Sequence, residues 1–290
     1  MLAAFMATLG RGRWWFTALA GFLVRGGVLA LLAGIVVLPT PAELARHLDP
    51  SLEGAAPGDI TPALVGLVAR LLVIGLVIVV TSTAIGTWLD GALIADVAAD
   101  EELEPGHGIR SLPLGLAIAA RLVTHVPTAL AVVVGGVLLA AAAYAELLAP
   151  SGSAPLVVRI VLDAPAAIGL IVGAWFLAEA WGGAALRRLI VGDGLGAALR
   201  NGLALVVRPA GLATLGLTTA GVLVAALGTI LAAGRAFERV APLVIDAADP
   251  VLVAIGVSLL VGTWCAGLWL LGVALAFRSA AWTAEVLREA

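Results

Sequence analysis

Six side chains in this sequence carry charge, or can carry it, where charge is costly. Asp90 and Glu179 interrupt long apolar runs, and Arg25, Arg121, His125 and Arg208 lie at the edges of others. An ionised group at the centre of a bilayer costs about 2.5–3.5 kcal/mol even on insertion scales. Such groups are therefore expected to pair, to snorkel toward headgroups or to line water. Arg121 and His125 stand one helical turn apart and share a face. One reading makes the six a polar pathway or a site for anionic headgroups. The other, favoured here, makes them ion pairs that tie neighbouring spans together. Glu179 is then expected to meet Arg208 or Arg25. Asp90 is expected to meet Arg121 or His125, or to reach the headgroup region.

Other patterns are weaker as chemistry. Gly192-Asp193-Gly194-Leu195-Gly196 has the glycines of a phosphate loop, but it lacks the following Lys-Ser/Thr and has no strand before it. It is expected to be a helix end closed by Gly192, with Asp193 capping the next helix. The acidic run Asp96, Asp100, Glu101, Glu102, Glu104 lacks the alternating ligands and central glycine of a calcium loop and reads as a solvated turn. His47, His107 and His125 are scattered, with no second ligand at metal spacing. The lone Cys265, beside Trp264, reads as a small packing residue. No catalytic residue, metal or cofactor is expected.

The elements that position the six charges must be membrane helices. Hydrophobic residues make up 62% of the 290, charged residues 12%, and mean hydropathy is +1.14. A soluble domain carries about 25% charged residues, so the apolar excess is expected to face lipid. A net charge of -3 argues against nucleic acid as a partner. Six runs approach the roughly 20 residues that span a bilayer: 17–38, 71–95, 122–148, 165–186, 210–233 and 251–276. They show no period-two alternation, so strands are not expected. No cleavable signal peptide is expected at the N-terminus either.

The connections alternate in character. Segments 39–62, 149–164 and 234–250 are rich in Pro, Asp and Ser; segments 96–115 and 187–202 and both ends are richer in Arg. All 16 basic residues are Arg, 11 on the side of the termini and 5 on the other. The positive-inside rule then places both termini in the cytoplasm, in a bacterial inner membrane. Trp14, Trp15, Trp88, Trp181, Trp269 and Trp282 fall on the same half, as interfacial anchors would.

The spacing of its motifs divides the chain into three similar units. Gly86-Thr87-Trp88, Gly173-Ala174-Trp175 and Gly262-Thr263-Trp264 recur 87 and then 89 residues apart, and Ala154-Pro155-Leu156-Val157 and Ala241-Pro242-Leu243-Val244 recur 87 apart. Ahead of the odd spans a basic residue meets a helix breaker, at Arg25-Gly26-Gly27, His125-Val126-Pro127 and Arg208-Pro209. The expected fold is one all-α membrane domain, residues 1–290. Its six spans form three two-helix repeats, approximately 11–100, 110–190 and 195–290, each entered by an amphipathic cytoplasmic segment. In the third unit that segment is Gly196–Val207, with Arg200 and Asn201 as its polar face. Gly135-Gly136, Gly182-Gly183 and Gly211, Gly216 and Gly221 suit close helix approach.

The Gly192-Asp193-Gly194-Leu195-Gly196-Ala197-Ala198-Leu199-Arg200 segment and the Arg208-Pro209 turn resemble bacterial multi-pass proteins related to the membrane domain found beside some glycerophosphodiester phosphodiesterases. The resemblance covers the last third of the chain. It implies a fold type and no activity, because the hydrolase barrel that gives that family its name is not in this sequence. Three functions follow as expectations, in this order. First is a non-catalytic scaffold or accessory subunit of a membrane assembly, with lipid, other subunits or anionic headgroups as partners. Second is a small transporter or channel with a polar site near the cytoplasmic side. Third is a lipid-handling enzyme.

Overall fold

The computed structural model describes residues 2–32, 62–99, 113–148, 156–246 and 249–288. Every element among the described residues is helical: α1 (Leu2–Leu9), α2 (Gly12–Phe22), a π turn (Leu23–Gly27), α3 (Val28–Leu32), α4 (Pro62–Ala98), α5 (Leu114–Leu148), α6 (Leu156–Asp163), α7 (Pro165–Val191), α8 (Leu195–Val207), α9 (Pro209–Ile245) and α10 (Pro250–Arg288). The helices α4, α5, α7, α9 and α10 are long and apolar enough to cross a bilayer. The protein is an α-helical membrane protein with five such helices among the described residues.

Those five helices hold 27 to 39 residues each. At 1.5 Å per residue they run roughly 40–58 Å, well past about 30 Å of hydrocarbon. The apolar runs 71–95, 122–148, 165–186, 210–233 and 251–276 therefore mark only the middles of longer helices. A helix satisfies its own backbone, so nothing in the headgroup region obliges it to stop where the apolar residues do. The expected first span, 17–38, is not a continuous helix where it is described. It breaks at the π turn, where Arg25 has φ -80 and ψ 19 and Gly26 has φ +97; residues 33–38 lie outside the described residues. Gly26 supplies the left-handed backbone that an L side chain resists.

Two of the three expected breakers break a helix. Arg25-Gly26 does so as just described. Arg208 is extended (φ -73, ψ 146) between α8 and α9, with Pro209 opening α9. The third does not: Pro127 lies inside α5, which runs through His125-Val126-Pro127 without interruption. Proline there removes one backbone hydrogen bond, a loss that membrane helices tolerate when neighbours pack around it. Gly192 closes α7 in the left-handed region (φ 111), with the Gly192 and Asp193 N–H groups donating to Leu189 and Arg188 carbonyls. Asp193 does not cap α8, whose N-cap is Gly194; its carboxylate instead accepts a hydrogen bond from Asn201 Nδ2 at 3.1 Å.

Packing joins α9 to α10 and α5 to α7 most extensively, and α8 lies against α7. Three buried apolar clusters follow. One joins α1, α2, α3, α4, α9 and α10 around Trp14, Leu31, Val97 and Leu271. A second joins α4, α5, α7 and α8 around Ile94, Leu186 and Ile190. A third joins α7, α8, α9 and α10 around Leu205, Leu215 and Val286. Trp14 and Trp282 belong to these clusters and are buried, so they are not interfacial anchors; Trp88 and Trp269 are exposed. Cys265 is exposed on α10 and packs no core.

Candidate functional site

The charges meet at the end of the bundle that carries both termini, where α1 packs on α10 with Phe5 edge-on to Phe277. Asp90 stands eight residues before the end of α4, about 12 Å in, and Arg121 seven residues after the start of α5. Glu179 is the fifteenth of the 27 residues of α7, half-way along it. Arg25 comes from the π turn.

These groups form one chain of ion pairs across four elements. Arg25 Nη1 and Arg121 Nη2 both donate to Asp90 Oδ2, the latter at 2.6 Å. Arg121 Nη1 donates to Glu179 Oε2 at 3.2 Å, and His125 Nε2 lies 3.4 Å from Glu179 Oε1. Arg121 is the centre of the chain and the most buried member, 5% exposed against 16% for each carboxylate. His125 Nδ1 donates to the Arg121 carbonyl at 2.8 Å, which fixes the ring that faces Glu179. Of the six residues singled out in the sequence, Arg25, Asp90, Arg121, His125 and Glu179 lie together. Arg208 does not. It is exposed at the α8–α9 junction, and Arg25 pairs with Asp90, so the expected pairing of Glu179 with Arg208 or Arg25 is replaced by pairing with Arg121 and His125.

Glycines make the room that the arginines occupy. A Cβ on Gly86 would stand 2.7 Å from Arg25 Cγ and 2.9 Å from its Cδ, and one on Gly182 would stand 3.0 Å from Arg121 Nη1. Gly173 and Gly262, the proposed equivalents of Gly86, have nothing within 4 Å of such a Cβ. Gly86→Ala is therefore expected to displace Arg25 and lower the melting temperature in detergent by several degrees. Gly173→Ala and Gly262→Ala should leave it unchanged or raise it, since alanine favours helix. Equal effects at all three positions in a thermal-unfolding series would defeat this reading of Gly86.

Two further arginines, which the sequence pattern places with the basic loops and ends, belong to the same site. Arg187 is 7% exposed on α7. Its Nε donates to Thr283 Oγ1 at 3.1 Å, its Nη1 to the Gly183 carbonyl at 2.7 Å, and its Nη2 to the Ser279 carbonyl and hydroxyl at 3.1 and 3.0 Å. Its guanidinium also stands over the Trp282 ring, 5.7 Å from the centroid. Arg278 on α10 makes no hydrogen bond or ion pair among the described residues. Both were overlooked because α7 and α10 continue to Val191 and Arg288, past the ends of their apolar runs. The available signal was Ser279 and Thr283, four apart on one face, with Arg278 beside them late in an apolar helix.

Together these side chains line a cavity of about 60 Å³, with Arg25, Asp90, Arg121, Glu179, Arg187 and Arg278 contributing its charge. Other candidate groups lie elsewhere. Asp96 pairs with Arg13 at 3.2 Å on the surface. Asp100, Glu101, Glu102 and Glu104, like His47 and His107, lie outside the described residues. Far along the chain from the cavity, a second buried pair joins Glu146 near the end of α5 to Arg159 of α6, at 2.9 Å. Set against known proteins, the chain finds no matching family model, no matching curated protein and no matching solved structure.

Proposed function

We propose that the protein is a small, non-catalytic membrane transporter or channel whose polar site is the charged cavity near the shared end of α4, α5, α7 and α10. The observation that carries this is the surplus of positive charge around that cavity. Four arginines line it against two carboxylates, and both carboxylates already hold cationic partners in Arg25 and Arg121. A purely structural network would be expected to balance its charges, because each unpaired buried ion costs several kcal/mol. Intramembrane ionisable groups around a cavity are a transporter theme.

The fold proposed with it has six spans, both termini in the cytoplasm of a bacterial inner membrane, and three helix pairs. The 11-to-5 distribution of arginines supports the orientation. The close pairing of α5 with α7 and of α9 with α10 supports the second and third units. A scaffold or accessory subunit is the second reading, favoured by the paired carboxylates, which lock α4, α5 and α7 into one frame.

Reconstitution into liposomes separates the two. A transporter is expected to pass radiolabelled small ions or polar solutes faster than empty vesicles do, and Arg121→Gln should reduce that flux. Flux no greater than that of empty vesicles for anions, cations and neutral solutes, together with a stoichiometric membrane partner retained in mild detergent, would reverse the order.

A further inference from the structure

Burial in the cavity wall leaves donors, and few acceptors, without partners. Arg278 makes no hydrogen bond or ion pair among the described residues. Arg121 Nε, Trp282 Nε1 and Thr219 Oγ1 are buried without hydrogen-bond partners among them as well, and all four residues line the cavity. Arg187 is satisfied only by carbonyls and hydroxyls, which hold its protons but do not cancel its charge. Guanidinium and indole groups can only donate; of these groups only the Thr219 hydroxyl can also accept. Asp90 Oδ2 is turned to Arg25 and Arg121, and the two oxygens of Glu179 to Arg121 and His125. What remains is a net surplus of two positive charges and at least three unused donors.

From this we infer that the cavity is a receptor for an oxyanion of the phosphate class, held between Arg278 and Arg187 with Trp282 and Thr219 as neutral contacts. The inference rests on the proposed role of the same cavity as the polar site. A volume of about 60 Å³ holds roughly four to six waters, the room of one tetrahedral anion. The planar guanidinium fork of Arg278 matches such an anion with parallel N–H···O bonds, and Arg187 adds its uncancelled charge. A metal cation is the wrong ligand for a wall in surplus of positive charge, and a neutral solute would leave that surplus uncompensated. The same chemistry comes from inorganic phosphate or from the phosphate of a lipid headgroup, and the two sources are separated by the assay.

The test uses the full chain in nanodiscs of phosphatidylcholine, with inorganic phosphate as one arm and added phosphatidic acid as the other. Saturable binding and a raised melting temperature are expected in at least one arm. Phosphate alone identifies a soluble anion; phosphatidic acid alone identifies a headgroup. Arg278→Gln is expected to weaken that binding at least about tenfold, the loss of one charge-assisted contact. The same variant should melt at or above the wild-type temperature in anion-free buffer, because it removes an uncompensated cation. Arg13→Gln, in the surface pair with Asp96, should bind as the wild type does. Arg278→Lys keeps the charge and is expected to retain part of the affinity, which covers the case in which the glutamine variant does not fold. No saturable binding in either arm, or wild-type affinity in Arg278→Gln, overturns the inference. Binding without flux in reconstituted vesicles leaves the receptor standing and removes the transporter; flux of a neutral solute without anion binding does the opposite.

Discussion

Replacing Arg121 by alanine is expected to destabilise the detergent-solubilised protein by about 3–5 kcal/mol, the cost of stranding a buried charge whose partner is removed. Arg121 bridges Asp90 at 2.6 Å and Glu179 at 3.2 Å, so one substitution opens two pairs. Their fates differ. Asp90 keeps Arg25 on the same oxygen, whereas at ion-pair distance among the described residues Glu179 keeps only His125, at 3.4 Å. Adding Glu179→Gln should therefore recover most of the loss, and adding Asp90→Asn should recover less. Thermal unfolding of the single and double variants reads the order directly. An Arg121→Ala protein that melts with the wild type would show that the ion-pair chain contributes nothing net to stability. Rescue by Asp90→Asn alone would show that the stranded charge had been assigned to the wrong helix.

Gly202→Leu is expected to lift α8 from α7. A Cβ at position 202 would stand 2.8 Å from the Ala185 backbone nitrogen and 3.1 Å from its Cα. Those are main-chain atoms in the buried part of a long helix and cannot turn aside as a side chain can. Overpacking of this kind costs about 1–3 kcal/mol or more, and here it must be relieved by moving the whole of α8. The consequence reaches Trp181, whose Nε1 donates to the Leu199 carbonyl of α8 at 2.7 Å. Loss of that bond should change the tryptophan emission, and proteolysis within 195–207 should become faster. Gly196→Leu is the control, since a Cβ there meets nothing within 4 Å. Equal behaviour of the two variants would mean that α8 does not depend on this backbone contact.

The membrane class was legible because charge content and apolar run length act on the whole chain at once, whatever the contacts. So was the need for partners at Asp90 and Glu179, since a carboxylate in an apolar helix has few affordable fates. One partner of Asp90, Arg121, was legible; its other partner, Arg25, and both partners of Glu179 were not. Arg208 has the right residue type at a suggestive depth, yet the extended backbone at Arg208 turns it to the outside, and periodicity does not report such a turn. Pro127 misled in the opposite sense: its local preference for a break is overridden by the packing of α5 along α7. Arg187 and Arg278 were hidden by hydropathy itself, which treats an arginine near the end of an apolar run as the end of the helix. The three Gly-x-Trp triplets look alike in sequence but differ in surroundings. Gly86 admits an arginine stem, while the space around Gly173 and Gly262 is open.

The order of the ion-pair chain along the polypeptide bears on how such a protein is made. Synthesis runs from the N-terminus, and early segments are in place before later ones emerge. Arg25 precedes Asp90 by 65 residues, and Arg121 precedes Glu179 by 58. Each acid therefore leaves the ribosome after a base that will neutralise it has already been delivered. Asp90 enters the lipid with Arg25 waiting, and Arg121 then arrives to a carboxylate that is already half-satisfied. Neither Asp90 nor Glu179 has to stand as a lone carboxylate in hydrocarbon until a later partner has been translated.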